Sequence, residues 1–290
     1  MSGTGLSIVM PAYNEAEGIG PVIDGLHAAM QTGLLAYEIL VVDDGSQDET
    51  AAIARARGVR TLQHPENRGY GAALKTGIRQ AIFELIAITD ADGTYPNERL
   101  PELARLALDG EYDMVVGART GQEVHIPLLR RPAKWALNRL ANYLSGQRIP
   151  DLNSGMRVFR REVAVSFFRL LPSGFSFTTT LTLALLTNDY NVLYVPIDYH
   201  PRTGRSKIRP VRDTINFFSL VVRVMLSFRP LRIFVPLALA LILLSLGKIL
   251  YDVHAYDFHL ATSTVVLASL TFQVIVLGLI ADLVVTLHRS

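Results

Sequence analysis

The stretch Leu85–Asp92 (LIAITDAD) decides the fold, because a short apolar run ends abruptly in two acids. Its isoleucine and threonine residues are β-branched and favour an extended chain. A continuous apolar run of this length is typical of a strand that is buried on both faces of a sheet. Asp90 and Asp92 stand two residues apart, and their carboxylates can offer oxygen atoms to one divalent cation. The stretch therefore predicts a buried strand with an acidic, cation-binding end.

Similar apolar runs recur through the first 118 residues, and helical patterns separate them. The other predicted strands are Ile8–Met10, Ile39–Val42, Val59–Leu62 and Met114–Val116. The helical patterns are Glu15–Gln31, Asp48–Arg57, Gly71–Ile82 and Asn97–Leu108. This alternation predicts an α/β fold with a largely parallel sheet that helices cover on both faces.

Polar segments follow the predicted strands repeatedly, and in a parallel sheet those segments meet at one edge. They are Pro11–Glu15, Asp43–Ser46, Asp90–Asp92 and Gly117–Arg119. Ligands of such sheets bind beyond the carboxyl ends of the strands. Asn67–Gly71 leads into a predicted helix, and we expect its glycines to permit close approach of the backbone to a ligand. The sequence therefore predicts one binding site at this edge.

Charge is distributed unevenly along the 290 residues, although the net charge is only +2. Residues 1–118 carry 8 Lys/Arg and 17 Asp/Glu, a net −9, and the remainder carries 20 and 9, a net +11. The chain has no cysteine, which excludes disulfide scaffolds, cysteine-ligated metals and thiol catalysis. An acidic first half and a basic second half need separate explanations.

The last 60 residues predict a membrane anchor. Ile233–Gly247 and Thr262–Thr286 are apolar runs, each close to the roughly 20 residues that cross a bilayer. Arg229 and Arg232 precede the first run and Arg289 follows the second, whereas the polar link Asp252–Leu260 has no Lys or Arg. The positive-inside rule therefore places both outer ends in the cytoplasm. The alternative is a buried helical hairpin of a soluble protein.

Five motifs in order resemble glycosyltransferase family 2, and specifically its dolichol-phosphate mannose synthase and bacterial polyprenyl-phosphate glycosyltransferase branch. The motifs are Pro11–Glu15, Val42–Ser46, Asn67–Gly71, Asp90–Asp92 and Asp151–Arg157, and the resemblance covers residues 6–210. It implies a Rossmann-like GT-A fold, a nucleotide-sugar donor such as GDP-mannose or a UDP-hexose, a Mg²⁺ or Mn²⁺ cofactor, and inversion at the anomeric carbon.

The resemblance also assigns site residues by position. It implies a metal at Asp90 and Asp92, with Asp92 and Asp151 as the catalytic acids. It implies nucleotide-sugar contacts at Pro11, Ala12, Tyr13, Glu15, Val42, Asp44, Asp90, Ala91, Asp92, Arg119, Arg202 and Lys207. Where relatives of this branch have a glutamine as a further metal ligand, this chain has Thr94.

The basic middle of the chain predicts a second anion in addition to the donor diphosphate. Residues 119–161 contain nine Lys/Arg and two acids. Arginine forks bind phosphate oxygens in pairs, and a lipid phosphate at the membrane surface fits such a cluster. The expected lipid-phosphate contacts are Arg119, Arg131, Ser154, Arg202 and Lys207. Attraction of a juxtamembrane patch to anionic membrane lipids explains the remaining cations.

Three segments follow from these patterns. Residues 1–210 form a cytoplasmic catalytic domain, residues 211–229 an amphipathic helix in the membrane interface, and residues 231–287 a two-helix transmembrane anchor. We expect an integral membrane protein of the bacterial inner membrane, with the catalytic domain on the cytoplasmic face. Nucleic acid is not an expected partner, and a homo-oligomer is compatible with the sequence.

The predicted reaction moves a sugar onto a polyprenyl phosphate such as undecaprenyl or dolichyl phosphate. A phosphate oxygen is already anionic and needs little help from a general base. Three roles are therefore open for Asp151: a base, a group that orients the sugar and acceptor, or a partner of Arg157. The alternatives are transfer to a lipid hydroxyl such as that of diacylglycerol, a processive polysaccharide synthase, and a catalytically inactive membrane scaffold. The nucleotide, the sugar and the prenyl length are left open.

Overall fold

A computed structural model describes most of the chain. The described residues are 5–31, 35–110, 112–120, 139, 141–143, 145–174, 176–200, 219, 221–255 and 259–289. Three residues of the predicted acceptor site, Arg131, Arg202 and Lys207, lie outside these ranges, as does most of the segment 211–220.

In the described part of the chain, seven strands form one sheet. They are β1 (Gly5–Ala12), β2 (Ala36–Asp43), β3 (Arg60–Gln63), β4 (Leu85–Ile88), β5 (Met114–Arg119), β6 (Arg157–Arg160) and β7 (Val192–Ile197). Their order across the sheet is β3-β2-β1-β4-β6-β5-β7. The acidic Asp90–Asp92 segment therefore leaves the sheet at its centre.

The sheet is mixed rather than uniformly parallel. β1 pairs in parallel with β2 and β4, and β5 pairs in parallel with β7. β6 runs antiparallel between β4 and β5. Because of this reversal, the residues that precede β6 lie at the same edge as the residues that follow β4 and β5. The predicted parallel arrangement is correct for the first four strands and incomplete beyond them.

Helices connect and cover the strands. They are α1 (Ile19–Gln31), α2 (Thr50–Ala56), α3 (Tyr70–Gln80), α4 (Leu100–Asp109), α5 (Arg161–Ser166), α6 (Phe177–Thr187), α7 (Leu231–Ala255) and α8 (Thr262–Arg289). A 3-10 turn at Asn97–Arg99 precedes α4. The bounds of α1 to α4 agree with the predicted helices to within a few residues.

Both faces of the sheet are buried, and alternate residues of β1 point to opposite faces. On one face, Ile8 packs in the same apolar cluster as Ile23 of α1. On the other, Val9 shares a cluster with Leu74 of α3 and Leu181 of α6. These side chains are fully buried, and each contributes about 2 kcal/mol of hydrophobic stabilisation. The rigid sheet between the two clusters fixes the loops at its edge.

Residues 221–228 are helical and pack on the domain built around the sheet. Val221, Val224, Met225 and Phe228 are buried in the cluster of α3 and α6, and the Phe228 ring meets Phe167 edge-on at 6.0 Å. The apolar face that we expected to lie in the membrane interface is therefore, in this described part, turned toward the protein. Only the opposite face, with the exposed Leu226, can contact lipid.

Helices α7 and α8 form an apolar hairpin, and each is long and apolar enough to span a bilayer. Only 11% and 17% of the most apolar 18-residue stretch of each helix is buried, whereas the core helices of a soluble protein are mostly buried. Lys248 contacts the buried Asp252 at 2.6 Å. Asp252 also accepts the backbone N–H of Ala261 and the hydroxyl of Thr264. This network joins the two helices at the end nearest their link.

Two arginines join the base of the hairpin to the catalytic domain. Arg229 donates to the carbonyl of Thr187 at 3.1 Å and to the Asp189 carboxylate at 2.7 Å, at the end of α6. Arg232 donates to the carbonyl of Tyr143 at 3.1 Å. We predicted these cations at the cytoplasmic flank of the anchor. They also bind the domain that contains the sheet.

Candidate active site

The loops that follow β1 and β2 hold each other through backbone and side-chain hydrogen bonds. The Asn14 N–H donates to Ser46 Oγ at 2.9 Å, and the Gln47 N–H donates to Asn14 Oδ1 at 2.9 Å. Asn14 has φ 52°, a left-handed conformation that asparagine tolerates better than most residues. The Glu15 N–H donates to Thr50 Oγ1 at 2.9 Å. The two motifs therefore form one rigid part of the edge.

A cavity of about 570 Å³ opens beside these loops. Its wall includes Tyr13, Ser46, Gln63, His64 and Asn67. Of the predicted nucleotide contacts that the structure describes, only Tyr13 lines it. Pro11, Ala12 and Val42 are buried within β1 and β2, and Glu15 is half-buried.

Asp44 supports the far wall of this cavity. Its carboxylate is buried and accepts hydrogen bonds from His64 Nδ1 at 2.6 Å, the Arg68 N–H at 3.0 Å and the Gly69 N–H at 2.7 Å. We expected Asp44 to bind the nucleotide directly. In this structure its bonds hold the loop that lines the cavity, and a direct contact stays a prediction.

The two acids after β4 have different surroundings. Asp92 is buried, and its Oδ1 accepts the Thr94 N–H at 3.1 Å and the Thr94 hydroxyl at 2.7 Å. Asp90 is half-buried, and its Oδ1 accepts the Tyr70 hydroxyl at 3.1 Å. Ala91 between them is buried. Thr94, which replaces the glutamine of related sequences, thus orients the Asp92 carboxylate.

Two tyrosines accompany this acid pair, and both stay protonated. Burial, together with the negative charge of Asp90, raises the pKa of the Tyr70 phenol well above its usual value. Burial likewise raises the pKa of Tyr95, whose hydroxyl accepts the Gly155 N–H at 2.6 Å. A Cβ at Gly155 would lie 2.9 Å from Asp90 Oδ2, so only glycine allows this loop so close to the acid.

The glycines of Asn67–Gly71 pack closely against the protein's own chain, and their close approach to a ligand stays a prediction. A Cβ at Gly69 would lie 2.5 Å from the carbonyl oxygen of Ser173, and one at Gly71 would lie 2.2 Å from that of Pro172. The Ala72 N–H also donates to the Ser173 carbonyl at 3.0 Å. Close packing of these two segments fixes the start of α3.

We expect Gly71→Ala to lower the melting temperature strongly, because the new methyl group meets backbone that cannot rotate away. A cost of about 3 kcal/mol corresponds to roughly 6–12 °C in a domain of this size. Thermal unfolding in detergent, followed by circular dichroism, measures the shift. Gly25→Ala is the matched control, since a Cβ there meets nothing within 4 Å. Equal melting temperatures for the two variants would contradict the packing argument.

At the end of β5, Arg119 binds Asp151 through its backbone N–H, at 3.0 Å from Oδ2, and through two guanidinium hydrogen bonds. Nε contacts Oδ2 at 2.7 Å and Nη2 contacts Oδ1 at 2.9 Å, while Nη2 also donates to Asn153 Oδ1 at 2.8 Å. The guanidinium lies 5.1 Å from the ring centroid of Tyr199. Asp151 is 2% exposed. The pair is therefore a fixed, largely buried unit at the edge of the sheet.

Two predicted contacts of this region are not supported. Ser154 is fully buried and its hydroxyl donates to the Gly117 carbonyl at 2.5 Å, which argues against a bond to a lipid phosphate. Arg157 does not pair with Asp151, the alternative we considered, but donates to the carbonyls of Ser154 and Thr178 and to the Thr182 hydroxyl. Burial lowers the pKa of the Arg157 guanidinium, and its role is structural.

The donor atoms at the edge suit a hard divalent cation. Asp90 and Asp92 supply carboxylate oxygens, and Gly155 leaves the space beside Asp90 Oδ2 clear of a side chain. Among the described residues, no group of three or more His, Cys, Asp or Glu forms a complete metal cage. Mg²⁺ and Mn²⁺ are commonly held by one or two carboxylates, with substrate phosphate oxygens and water completing the shell. The residues therefore fit such an ion bound together with a diphosphate.

Several residues of the site were not found from the sequence. They are Tyr70, Tyr95, Asn153 and Tyr199, which contact Asp90, Gly155 or Arg119. Tyr70 stands inside a motif that we had noted only for its glycines. The signal that was available in the sequence was a tyrosine inside a motif that was already assigned to the same edge of the sheet as Asp90.

Comparison with known proteins identifies the family. The profile described as glycosyl transferase family 2 matches residues 7–168, more than half of the chain. The chain belongs to glycosyltransferase family 2. A second profile, the GtrB C-terminal hairpin, matches residues 229–287 of this glycosyltransferase, the region of α7 and α8.

Relatives of this family 2 glycosyltransferase come from archaea and bacteria. The dolichyl-phosphate hexose transferase of Haloferax volcanii is 34% identical over 77% of this chain and 95% of its own length. Glycosyltransferase AglJ of the same organism is 28% identical over 98% and 94%. The undecaprenyl-phosphate 4-deoxy-4-formamido-L-arabinose transferase of Yersinia pestis is 34% identical, but the match spans about half of each protein.

Solved structures confirm the GT-A architecture. Glucosyl-3-phosphoglycerate synthase of Mycobacterium tuberculosis, in complex with Mn²⁺, UDP and glucosyl-3-phosphoglycerate, is 26% identical over 78% of this glycosyltransferase and 80% of that chain, with a TM-score of 0.58. Another complex of that enzyme, with Mn²⁺, UDP and phosphoglyceric acid, has 22% identity and a TM-score of 0.61. The expected fold and family are thus confirmed.

Proposed function

We propose that this glycosyltransferase moves a hexose from a nucleotide sugar to a polyprenyl phosphate at the cytoplasmic membrane face, with Mg²⁺ or Mn²⁺ as cofactor. One observation carries the proposal. The acids Asp90 and Asp92 and the fixed Arg119 lie at the same edge of the sheet, in a chain that also has two apolar helices long enough to span a bilayer. The dolichyl-phosphate and undecaprenyl-phosphate transferases among its relatives support a lipid-phosphate acceptor.

The donor half of the reaction is assigned to the acidic edge. Asp90 and Asp92 would hold the cation, which supplies charge neutralisation for the departing nucleoside diphosphate. The cavity beside Tyr13 is open and polar enough for the nucleoside, and Asp44 keeps its wall in place. Thr94 and Tyr70 fix the two carboxylates before the donor arrives. Preorganisation of this kind lowers the barrier because no group must reorient during the reaction.

The acceptor half is assigned to Arg119 and the basic segments around it. Asp151 and Asn153 engage Nε and Nη2 of Arg119, and among the described residues no hydrogen bond engages Nη1. Nη1 can therefore donate to a phosphate oxygen while the rest of the guanidinium stays fixed. Arg131, Arg202 and Lys207 stay predictions for the same phosphate, because they lie outside the described residues.

The acceptor oxygen needs no strong base. A phosphate monoester oxygen is anionic at neutral pH, so it attacks the anomeric carbon directly, and the bond from that carbon to the diphosphate oxygen breaks with inversion. Both carboxylate oxygens of Asp151 already accept hydrogen bonds from Arg119. Asp151 therefore acts as a positioning group for Arg119.

Asp151→Asn distinguishes the two acceptor classes. With a phosphate acceptor we expect transfer to fall only about 10-fold, because asparagine keeps one oxygen for Arg119 and no proton need be removed. A lipid hydroxyl acceptor requires a base, so loss of Asp151 would then cost roughly 10³-fold. Initial rates with undecaprenyl phosphate and with diacylglycerol, measured from pH 6 to 9, separate these outcomes. An effect above 10³-fold with the phosphate acceptor would contradict the positioning role.

The activity itself is tested with the full chain in nanodiscs. Radiolabelled GDP-mannose, UDP-glucose and other nucleotide sugars are supplied with undecaprenyl or dolichyl phosphate and Mn²⁺. We expect label in an acid-labile prenyl-phosphate sugar for one donor, and loss of that label on addition of EDTA. Label in a diacylglycerol glycoside, which survives mild acid and loses its acyl esters in mild alkali, would favour the lipid hydroxyl alternative. No transfer with any donor would favour an inactive scaffold.

A further inference from the structure

We propose that Tyr70 is a positioning residue of the metal site, whose phenol holds the Asp90 carboxylate in the orientation that binds the divalent cation. The inference rests on the proposed function, because it takes Asp90 as a metal ligand. Asp90 lies at the end of β4 and Tyr70 opens α3, so the contact joins two elements that are 20 residues apart. Nothing in the Asp-x-Asp pattern itself calls for this tyrosine.

The hydrogen bond is directed to one oxygen of the carboxylate. Tyr70 Oη donates to Asp90 Oδ1 at 3.1 Å. The glycine at 155 faces Oδ2, where a Cβ would approach to 2.9 Å. The carboxylate is thus contacted on one side by the phenol and approached on the other by bare backbone. Rotation about the side-chain torsions of Asp90 would break the hydrogen bond from Tyr70.

Tyr70 is itself held firmly. Gly69 precedes it with φ 99°, a backbone conformation that residues other than glycine rarely adopt. Gly71 follows it and packs against the Pro172 carbonyl at a distance that admits no side chain. The ring also packs against the core cluster of α3 and α6. The glycines that flank Tyr70 therefore set the position of its hydroxyl.

A fixed phenol has a chemical consequence for a carboxylate that binds metal. Groups that hydrogen-bond to a metal ligand orient it, and their loss typically costs about 10–100-fold in metal affinity. Thr94 contacts Asp92 in a comparable way, with two bonds to one oxygen. Each acid of the pair thus has one partner that fixes it, and the partner of Asp90 comes from a different element.

The test is Tyr70→Phe, which removes the hydroxyl and keeps the ring. Mn²⁺ is titrated into the full chain in nanodiscs, with saturating UDP and separately with GDP, and free Mn²⁺ is followed by electron paramagnetic resonance. We expect the affinity for Mn²⁺ to fall roughly 10-fold. Tyr194→Phe is the matched control, because its buried hydroxyl has no hydrogen-bond partner among the described residues. Its affinity should stay within twofold of the wild type.

A double-variant cycle separates this role from a general loss of structure. In the background of Asp90→Asn, Tyr70→Phe should cause no further loss of Mn²⁺ affinity, since its action passes through Asp90. Wild-type affinity in the single Tyr70→Phe variant, or a wild-type chain that binds no Mn²⁺ with either nucleotide, would overturn the proposal. If Mn²⁺ affinity falls as expected but no sugar reaches a prenyl phosphate, only the proposed acceptor fails.

Discussion

Asp92→Asn is expected to reduce sugar transfer about 10³-fold while the protein remains folded and inserted in the membrane. Asp92 accepts two hydrogen bonds from Thr94 at one oxygen, and the amide oxygen of asparagine can accept both. The second oxygen becomes an NH₂ group, which cannot bind a cation, and the negative charge is lost. Loss of charge stabilisation worth about 4 kcal/mol in the transition state corresponds to this factor.

The measurement is the initial rate of label transfer to prenyl phosphate at saturating donor and Mn²⁺. Glu102→Gln serves as the control, since Glu102 is an exposed acid that pairs with the nearby Arg99. Surface pairs of that kind contribute little. Near-normal turnover of Asp92→Asn would remove this acid from the metal site, whatever the acceptor proves to be.

Arg119→Met is expected to lower both stability and activity. It leaves the Asp151 carboxylate buried without its cation, and breaking a buried pair from one side costs about 3–5 kcal/mol. The melting temperature should fall by roughly 6–15 °C. Transfer should fall at least 10²-fold in protein kept below its melting temperature, because the acceptor phosphate loses a charged partner.

A second substitution separates these two effects. Asp151→Asn added to Arg119→Met removes the unpaired charge, so we expect much of the melting temperature to return while transfer stays low. Arg57→Met is the surface control, since Arg57 pairs with the exposed Asp24 and should change neither property strongly. Recovery of transfer in the double variant would show that Arg119 acts only as a structural counter-ion.

The sequence was sufficient for the first half of the fold because its strands are short, apolar and regularly spaced. The predicted strand at Ile39–Val42, for example, lies within the observed β2. β6 was missed because arginine stands at both of its ends, and the burial of Arg157 depends partly on its bonds to Thr178 and Thr182 of a distant helix. β7 was missed because Pro196 interrupts its pattern, which a strand at the edge of a sheet tolerates.

For the site, local patterns located the acids and failed to identify their partners. Asp90 and Asp92 are adjacent in sequence to the strand that places them, so their position could be predicted. The partner of Asp151 could not, because Arg119 is 32 residues away and β6 must reverse direction to bring the two together. The same limit applies to Tyr70, since its hydroxyl reaches Asp90 only through the docking of α3 on a distant segment.

The antiparallel course of β6 also determines which part of the chain can change in length. β5 ends at Arg119 and β6 begins at Arg157, and both residues lie at the same edge of the sheet. The two ends of the intervening chain therefore lie at one edge of the sheet. A change in its length need not alter strand order or register, because the cost of loop closure grows only slowly with length. Such a change must spare residues 149–154, since Ile149 and Leu152 are buried in the core and Asp151 binds Arg119.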